Sequence, residues 1–484
     1  MIGRVEPVDP GGRKRRGAWY TPAHLVEAVV EAVVDAEFVA RRGDRVITVL
    51  DPACGDGRFL RATRERVESL GGRCVVAGVD VDAAAIDSAR DGVAGAVLVV
   101  DDALADGVVD AITPDGGFDV VVGNPPFLSQ MAAATARGAA SRLGGGPYAD
   151  AAVEFVALAA DVVRPDGGRV GLVLPQSILA ARDAEAVRRR VDERGRLIWS
   201  AWSGSQEFDD AEVLTCALVV EFGRPASSTH GSWAHVVTDR LGIPPLPDAL
   251  VAPASTLGDR STLNANFRDE YYGMVPAVGD HRSGPPLVTS GLIDPGRSLW
   301  GVRPVRFAKR DFVAPRIDLF ALDATMRRWA ERRLVPKVLV ANQTPIVEAV
   351  CDPGGDWLPG VPVVAVYPRV VPDRPADVVE RAWEIAAVLT SASASAWSWH
   401  RRGGTGLSAN TIRLGPAMLA DLPWPTGDLG PAVDALRRGD VVGCGRRVDA
   451  AHGVPSDEAD ALEAWWRPIV ERLSARTPAA SGPS

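Results

Sequence analysis

Over residues 46–222 short apolar runs alternate with helix-patterned stretches, and within each run the apolar residues are continuous rather than every second one. Strands of that kind are covered on both faces, as in a parallel sheet flanked by helices. VITVL (46–50), CVVAGVD (74–80), AVLVV (96–100) and FDVVVGNPPF (118–127) predict four strands, and GGRVGLVLP (167–175) predicts a fifth. LIWSAW and VLTCALVVEF predict two more, the last ending near Phe222. Helices are expected from near Arg58, from Asp82 and over about 151–163. Residues 19–35 also read as a helix, with Thr21 as its cap, Pro22 in its first position and an apolar stripe of Leu25, Val26, Val29, Val30 and Val33. The predicted class is α/β, with a doubly wound, mostly parallel sheet.

Ligands of such sheets bind outside the carboxyl ends of the strands. In DPACGDG (51–57) Asp51 ends the first strand, and Ala53, Cys54, Gly55 and Gly57 form the turn into a helix. Gly55 and Gly57 allow a sharp bend and a close backbone approach to a ligand. The second strand ends in Asp80, where an acid can accept ribose hydroxyls, and the third in Asp101 and Asp102. The loop has neither GxGxxG nor GxxxxGK[ST], so neither a dinucleotide nor a nucleoside triphosphate is indicated. Strand-end carboxylates suit a cationic ligand.

Asn124, Pro125, Pro126 and Phe127 follow the fourth strand. An exocyclic amino nitrogen is a poor nucleophile because its lone pair is delocalised into the ring. An acceptor on each amino hydrogen would turn that lone pair toward an electrophile, and the Asn124 side-chain oxygen and the Pro125 carbonyl can supply both. Consecutive prolines stiffen the turn, and placement is most of the catalysis in a direct transfer. Phe127 offers a face for stacking a base.

GAWYTP (17–22), DPACGDG (51–57), Asp80, Asp102 and NPPF (124–127), in this order, resemble the gamma group of adenine-N6 DNA methyltransferases. The resemblance covers about residues 17–222. It implies a class I, Rossmann-like domain with S-adenosyl-L-methionine as cofactor and Asn124 to Phe127 as the catalytic turn. It implies cofactor contacts from Tyr20, Thr21, Pro22, Asp51, the 53–57 loop, Asp80, Asp102, Asn124 and Phe155. Phe127 and Phe208 would pack on the target base, which must be extruded from the duplex. Asn-Pro-Pro alone also occurs in enzymes that methylate guanine amino groups of RNA or a glutamine of release factors. An RNA base or a protein amide therefore remains the alternative substrate. Cytosine-carbon methylation resembles nucleophilic catalysis from a Pro-Cys pair, and none of the five cysteines follows a proline. Without a CxxC pair neither a zinc site nor a disulfide framework is indicated, and no metal is expected.

Beyond Phe222 the pattern breaks into Pro-, Gly- and Ser-rich text. The expected organisation is a catalytic domain over 1–222, an α+β target-recognition domain over 223–425, and a helical segment with a tail over 426–484. The net charge of −9 excludes a uniformly basic surface but not a local one. Residues 297–337 carry 11 cationic against four acidic side chains, a net +7, and are the expected phosphate-binding segment for duplex DNA. WSWHRRGGTG (397–406) is read either as core or as a loop near DNA, and PKVLVANQTPIVEAV resembles appended target-recognition domains. The residues two before the three lysines are Gly12, Phe307 and Val335, so the Asp/Glu-x-Lys nuclease motif is absent and a fused nuclease is not expected. A separate restriction endonuclease or other defence-system protein is the partner expected by analogy. With no apolar run of membrane-spanning length and no signal-like start, a cytoplasmic location is expected.

Overall fold

Strands β1 (Ile47–Asp51), β2 (Cys74–Asp80), β3 (Val97–Val100), β4 (Val120–Gly123), β5 (Arg169–Pro175), β6 (Gly195–Trp202) and β7 (Thr215–Phe222) lie where the apolar runs predict them. The computed structural model describes residues 21–127, 143–146, 150–202, 214–226, 232–266, 268–369 and 377–475. It divides into two compact units, 1–236 and 237–484.

The seven strands form one sheet in the order β3-β2-β1-β4-β5-β7-β6. Neighbours from β3 to β5 are parallel, and β7 runs antiparallel to both β5 and β6. This is the class I methyltransferase, Rossmann-like fold. The strand order reverses between β1 and β4, so their carboxyl ends, Asp51 and Gly123, flank the crevice where ligands of such sheets bind. At the other end of these strands the Asp119 side chain is 1% exposed and ion-pairs with Arg42, Arg45 and Arg164 at 2.6–3.0 Å. It also accepts the Thr48 amide at 3.1 Å, pinning β1 to β4 from below.

Helices α1 (Ala23–Val33), α2 (Ala36–Arg42), α3 (Arg58–Ser69), α4 (Ala83–Gly92), α5 (Ala151–Val162) and α6 (Glu185–Asp192) accompany the sheet. Val26, Val29, Val30 and Val33 of α1 pack into one core with Val49, Val120, Val173 and Val219 of the strands. Burying each side chain of this size stabilises the fold by about 1.5–3 kcal/mol. The α1 start differs from expectation. Pro22, not Thr21, occupies the cap position, and no side chain caps the helix. Proline tolerates that place because an amide there would find no partner within the helix, which leaves the Thr21 hydroxyl for another task.

The second unit is α+β. Strands β8 (Ser261–Ala265), β9 (Lys337–Ala341), β10 (Ala349–Asp352) and β11 (Val363–Pro368) form an antiparallel sheet in the order β10-β9-β11-β8. Helix α7 (Asp377–Leu389) packs on this sheet, and α8 (Ala392–Arg402), α9 (Gly430–Arg437), α10 (Val441–His452) and α11 (Ser456–Ala475) pack around it and one another. Trp397 and Trp399 are each 2% exposed on α8, and Trp399 Nε1 donates to the Pro345 carbonyl at 2.7 Å. They are core residues, not a loop beside DNA. Lys337 is corrected likewise. It is fully buried on β9 and ion-paired with Asp352, so it is no phosphate ligand. Among the described residues no helix is long and apolar enough to cross a membrane.

Candidate functional site

The turn after β1 is shaped by its own amides and by two strand-end carboxylates. The Asp51 carboxylate accepts the Ala53 amide at 3.0 Å, and Asp80 accepts the Gly55 amide at 2.8 Å and the Asp82 amide at 2.9 Å. The Cys54 amide donates to the Val79 carbonyl at 3.0 Å, tying the loop to β2. Gly55 and Gly57 both have left-handed backbones, at φ +52° and +78°. A side chain at Gly57 would press on Ala89 of α4 and on Val93 just beyond it, whereas one at Gly55 would meet nothing within 4 Å. The loop therefore exposes backbone to open space at Gly55.

Asp51 is 1% exposed, and burial raises its carboxyl to about 8, with the negative neighbours Asp80 and Asp56 adding to the rise. Burial likewise holds the Cys54 thiol protonated, reinforced by Asp51 and Asp80, so it is no nucleophile. An acid this far from water gains most from a cation placed beside it.

The second half of the site abuts the first. Gly123 ends β4 with φ +153°, and a Cβ there would lie 2.5 Å from Asp51 Oδ1. Only glycine lets the chain pass the buried carboxylate and turn into Asn124. Asn124 Nδ2 donates to Thr21 Oγ1 at 2.9 Å. Thr21 is itself 2% exposed, and its carbonyl receives the Arg58 guanidinium, which also pairs with Asp56 at 2.8 Å. The segment before α1, the start of α3 and the turn after β4 are thus joined through Thr21. Pro125 is buried, and Phe127 is half-buried against the valine core.

Of the other expected residues, two are described. Asp102 lies just beyond β3, exposed, and accepts the Leu104 amide at 2.9 Å. Phe155 is 6% exposed in α5. Tyr20 and Phe208 fall outside the described residues. Three residues went unsingled in the sequence. Arg58 directly follows the glycine loop, and Gly123 directly precedes Asn124, so adjacency was the available signal for both. The third, Glu154, precedes Phe155. It is 8% exposed and accepts the Leu143 and Gly145 amides at 2.9 and 3.2 Å, holding the segment before its own helix.

Two strand-end carboxylates, one buried and short of positive charge, face a loop with open space at Gly55. That donor set suits a ligand bearing a sulfonium, an ammonium and ribose hydroxyls better than a phosphate.

Residues 10–197 match the family model described as N-6 DNA Methylase. Among solved structures the chain is similar to a modification subunit of a provisionally assigned type I restriction enzyme from Vibrio vulnificus, at 19% identity and TM-score 0.34, over 43% of this chain and 46% of that one. It is similar to the type I restriction-modification methyltransferase subunit from Streptococcus thermophilus, at 19% identity and TM-score 0.35, over 43% and 45%. It is also similar to a provisionally assigned class I S-adenosylmethionine-dependent methyltransferase from Listeria monocytogenes, at 21% identity and TM-score 0.34, over 43% and 63%. The matched stretch spans less than two thirds of each of these chains.

Proposed function

We propose that the chain transfers a methyl group from S-adenosyl-L-methionine to the exocyclic N6 of adenine in duplex DNA, after extrusion of the base. Residues 1–222 would carry the chemistry, 223–425 the recognition of DNA, and 426–484 a helical support. The observation that carries this reading is the contact between Asp51 and Gly123, which sets the glycine loop and the Asn-Pro-Pro-Phe turn side by side at the switch point of the sheet. The family match over residues 10–197 supports it.

When bound, S-adenosyl-L-methionine supplies an electrophilic methyl group. Asp51, Asp80 and the 53–57 backbone hold the ligand's cationic and hydroxyl groups. With Asn124 Nδ2 committed to Thr21, Oδ1 is the acceptor end of the amide. Asn124 Oδ1 and the Pro125 carbonyl then accept one amino hydrogen each, drawing the nitrogen out of conjugation with the ring. Phe127 stacks on the extruded base, and Tyr20, Pro22, Asp102, Phe155 and Phe208 complete the cofactor and base sites. A restriction-modification or defence setting, with a separate nuclease or defence protein as partner, follows from the same reading.

The direct test is transfer of tritium from labelled cofactor. Label is expected in duplex DNA, and nuclease digestion should return it as N6-methyladenine. Label in RNA or in protein amides instead would overturn the reading.

A pH dependence follows from Asp51. A cation beside it favours the carboxylate, so below pH 8 binding must release a proton. Cofactor affinity should rise by up to about tenfold per pH unit toward pH 8 and flatten above it. Calorimetry in buffers of different ionisation enthalpy reads the proton directly. Asp51→Asn should remove the part of the slope that belongs to the protein, leaving only the ligand's own amino group.

A further inference from the structure

The basic segment 297–337 separates into two sets once its contacts are known. Arg297 pairs with Asp294 at 3.0 Å, and Arg303, Arg316, Arg327 and Arg333 donate to main-chain carbonyls at 2.6–3.3 Å. Lys337 is buried on Asp352. Arg306, Lys309, Arg310, Arg328 and Arg332 have no such partner among the described residues. Three of these five lie within five consecutive residues.

They sit on a β-hairpin. Val305–Phe307 pairs antiparallel with Arg310–Phe312, in the register Val305 to Phe312, Arg306 to Asp311 and Phe307 to Arg310. Phe307 and Phe312 are buried in an apolar cluster with Tyr271, Ile317 and Trp329, which fixes the base of the hairpin. Arg306, Lys309 and Arg310 are exposed, and the Arg310 guanidinium rests 5.2 Å from the Phe312 ring centroid. The one acid of the hairpin, Asp311, lies opposite Arg306.

The turn itself is unusual. Ala308 and Lys309 have φ +49° and +64°, and among the described residues they are the only non-glycine positions with positive φ. Two-residue hairpin turns of this hand normally use Asn-Gly or Asp-Gly. Elsewhere this chain meets the same backbone requirement with glycine, as at Gly55, Gly57 and Gly453. Here it keeps a lysine at the tip against the conformational preference. Backbone strain retained by the surrounding structure is a pointer to function.

We propose that the Val305–Phe312 hairpin enters the major groove of duplex DNA, with Arg306 and Arg310 reaching base edges or flanking phosphates and Lys309 leading at the tip. A two-stranded ribbon fits that groove, and arginine or lysine to guanine O6 and N7 is the commonest specific contact there. The proposal rests on the reading of the chain as a DNA methyltransferase, but its test does not depend on turnover.

The experiment compares the full chain with two variants. One is Arg306→Ala/Lys309→Ala/Arg310→Ala. The other, Lys309→Gly, supplies the residue that the left-handed backbone favours and removes only the tip charge. Binding to duplex DNA carrying the modified site is titrated at several salt concentrations, and dimethyl sulfate protection of guanine N7 is mapped. The triple variant should bind at least about tenfold more weakly, lose about one unit of salt slope for each phosphate contact given up, and lose N7 protection within the site. The turn variant should melt at a higher temperature than the parent yet bind more weakly, a combination that a purely structural role for Lys309 does not produce. Cofactor affinity should be unchanged in both. If the parent binds duplex DNA and both variants match it in affinity, salt slope and N7 protection, the hairpin assignment is overturned. If the parent methylates nothing in DNA but its binding is still weakened by the variants, the enzymatic reading fails and the hairpin assignment stands. If the parent does not bind duplex DNA at all, both fail.

Discussion

Asn124→Ala is expected to lower turnover by about 10²–10³-fold, the range for removing one positioned hydrogen-bonding group from a polar transition state. Cofactor affinity should fall far less than turnover, because only the expected Asn124 contact is lost while Asp51, Asp80 and the loop amides they hold are untouched. The loss should fall on kcat rather than KM, since the acceptor acts on an amino group whose geometry changes only as the methyl group arrives. Single-turnover methylation of a duplex, with cofactor binding followed by calorimetry, separates the two. A variant that turns over at the parent rate would remove Asn124 from the chemistry and leave the turn as a scaffold.

A second large effect is expected where no chemistry occurs. Lys337→Ala should destabilise the second unit by about 3–5 kcal/mol, the usual result of leaving one member of a buried ion pair behind. Burial pulls the Lys337 ammonium below its ordinary value while Asp352 pulls it back, so the pair persists only as a pair. Asp352 also accepts the Asp356 and Trp357 amides at 3.1 and 3.0 Å, which keeps its carboxylate in place after the lysine is gone. Lys337→Met combined with Asp352→Asn should recover much of the loss. Thermal or denaturant unfolding measures both. An unchanged melting curve for Lys337→Ala, with a reduced salt slope for DNA binding, would return this lysine to the phosphate-binding set.

The first unit was legible because its strands are apolar runs separated by helix-patterned stretches, and the first four end in chemically marked turns. CVVAGVD reads as a strand and Asp80 as its functional end with no tertiary knowledge. Thr21 was misread because a threonine before a proline and an apolar stripe is a cap by every local rule. Its hydroxyl is instead drawn to a residue 103 positions away, which no local rule can see. In the second unit most strands are two to five residues long and separated by prolines and glycines, so their pairing is set by tertiary contacts and not by periodicity. Charge counting over 297–337 also failed to sort its members. Lys337 and Lys309 look alike in sequence, and only burial of the first and exposure of the second distinguish them.

The junction at Thr21 bears on how the site can change over generations. Its carbonyl and its hydroxyl serve Arg58 and Asn124, so three positions spread over 104 residues behave as one unit. Substitutions at contacting positions are not additive. Once any one of the three is altered, part of what the other two contribute is already gone, and a later change at either is partly masked. Drift would then be expected to move this trio together, by concerted replacement, and to draw in Asp56, which pairs with the arginine. What binds the trio is adjacency in space, so the order in which its members occur along the chain is immaterial to the site they build.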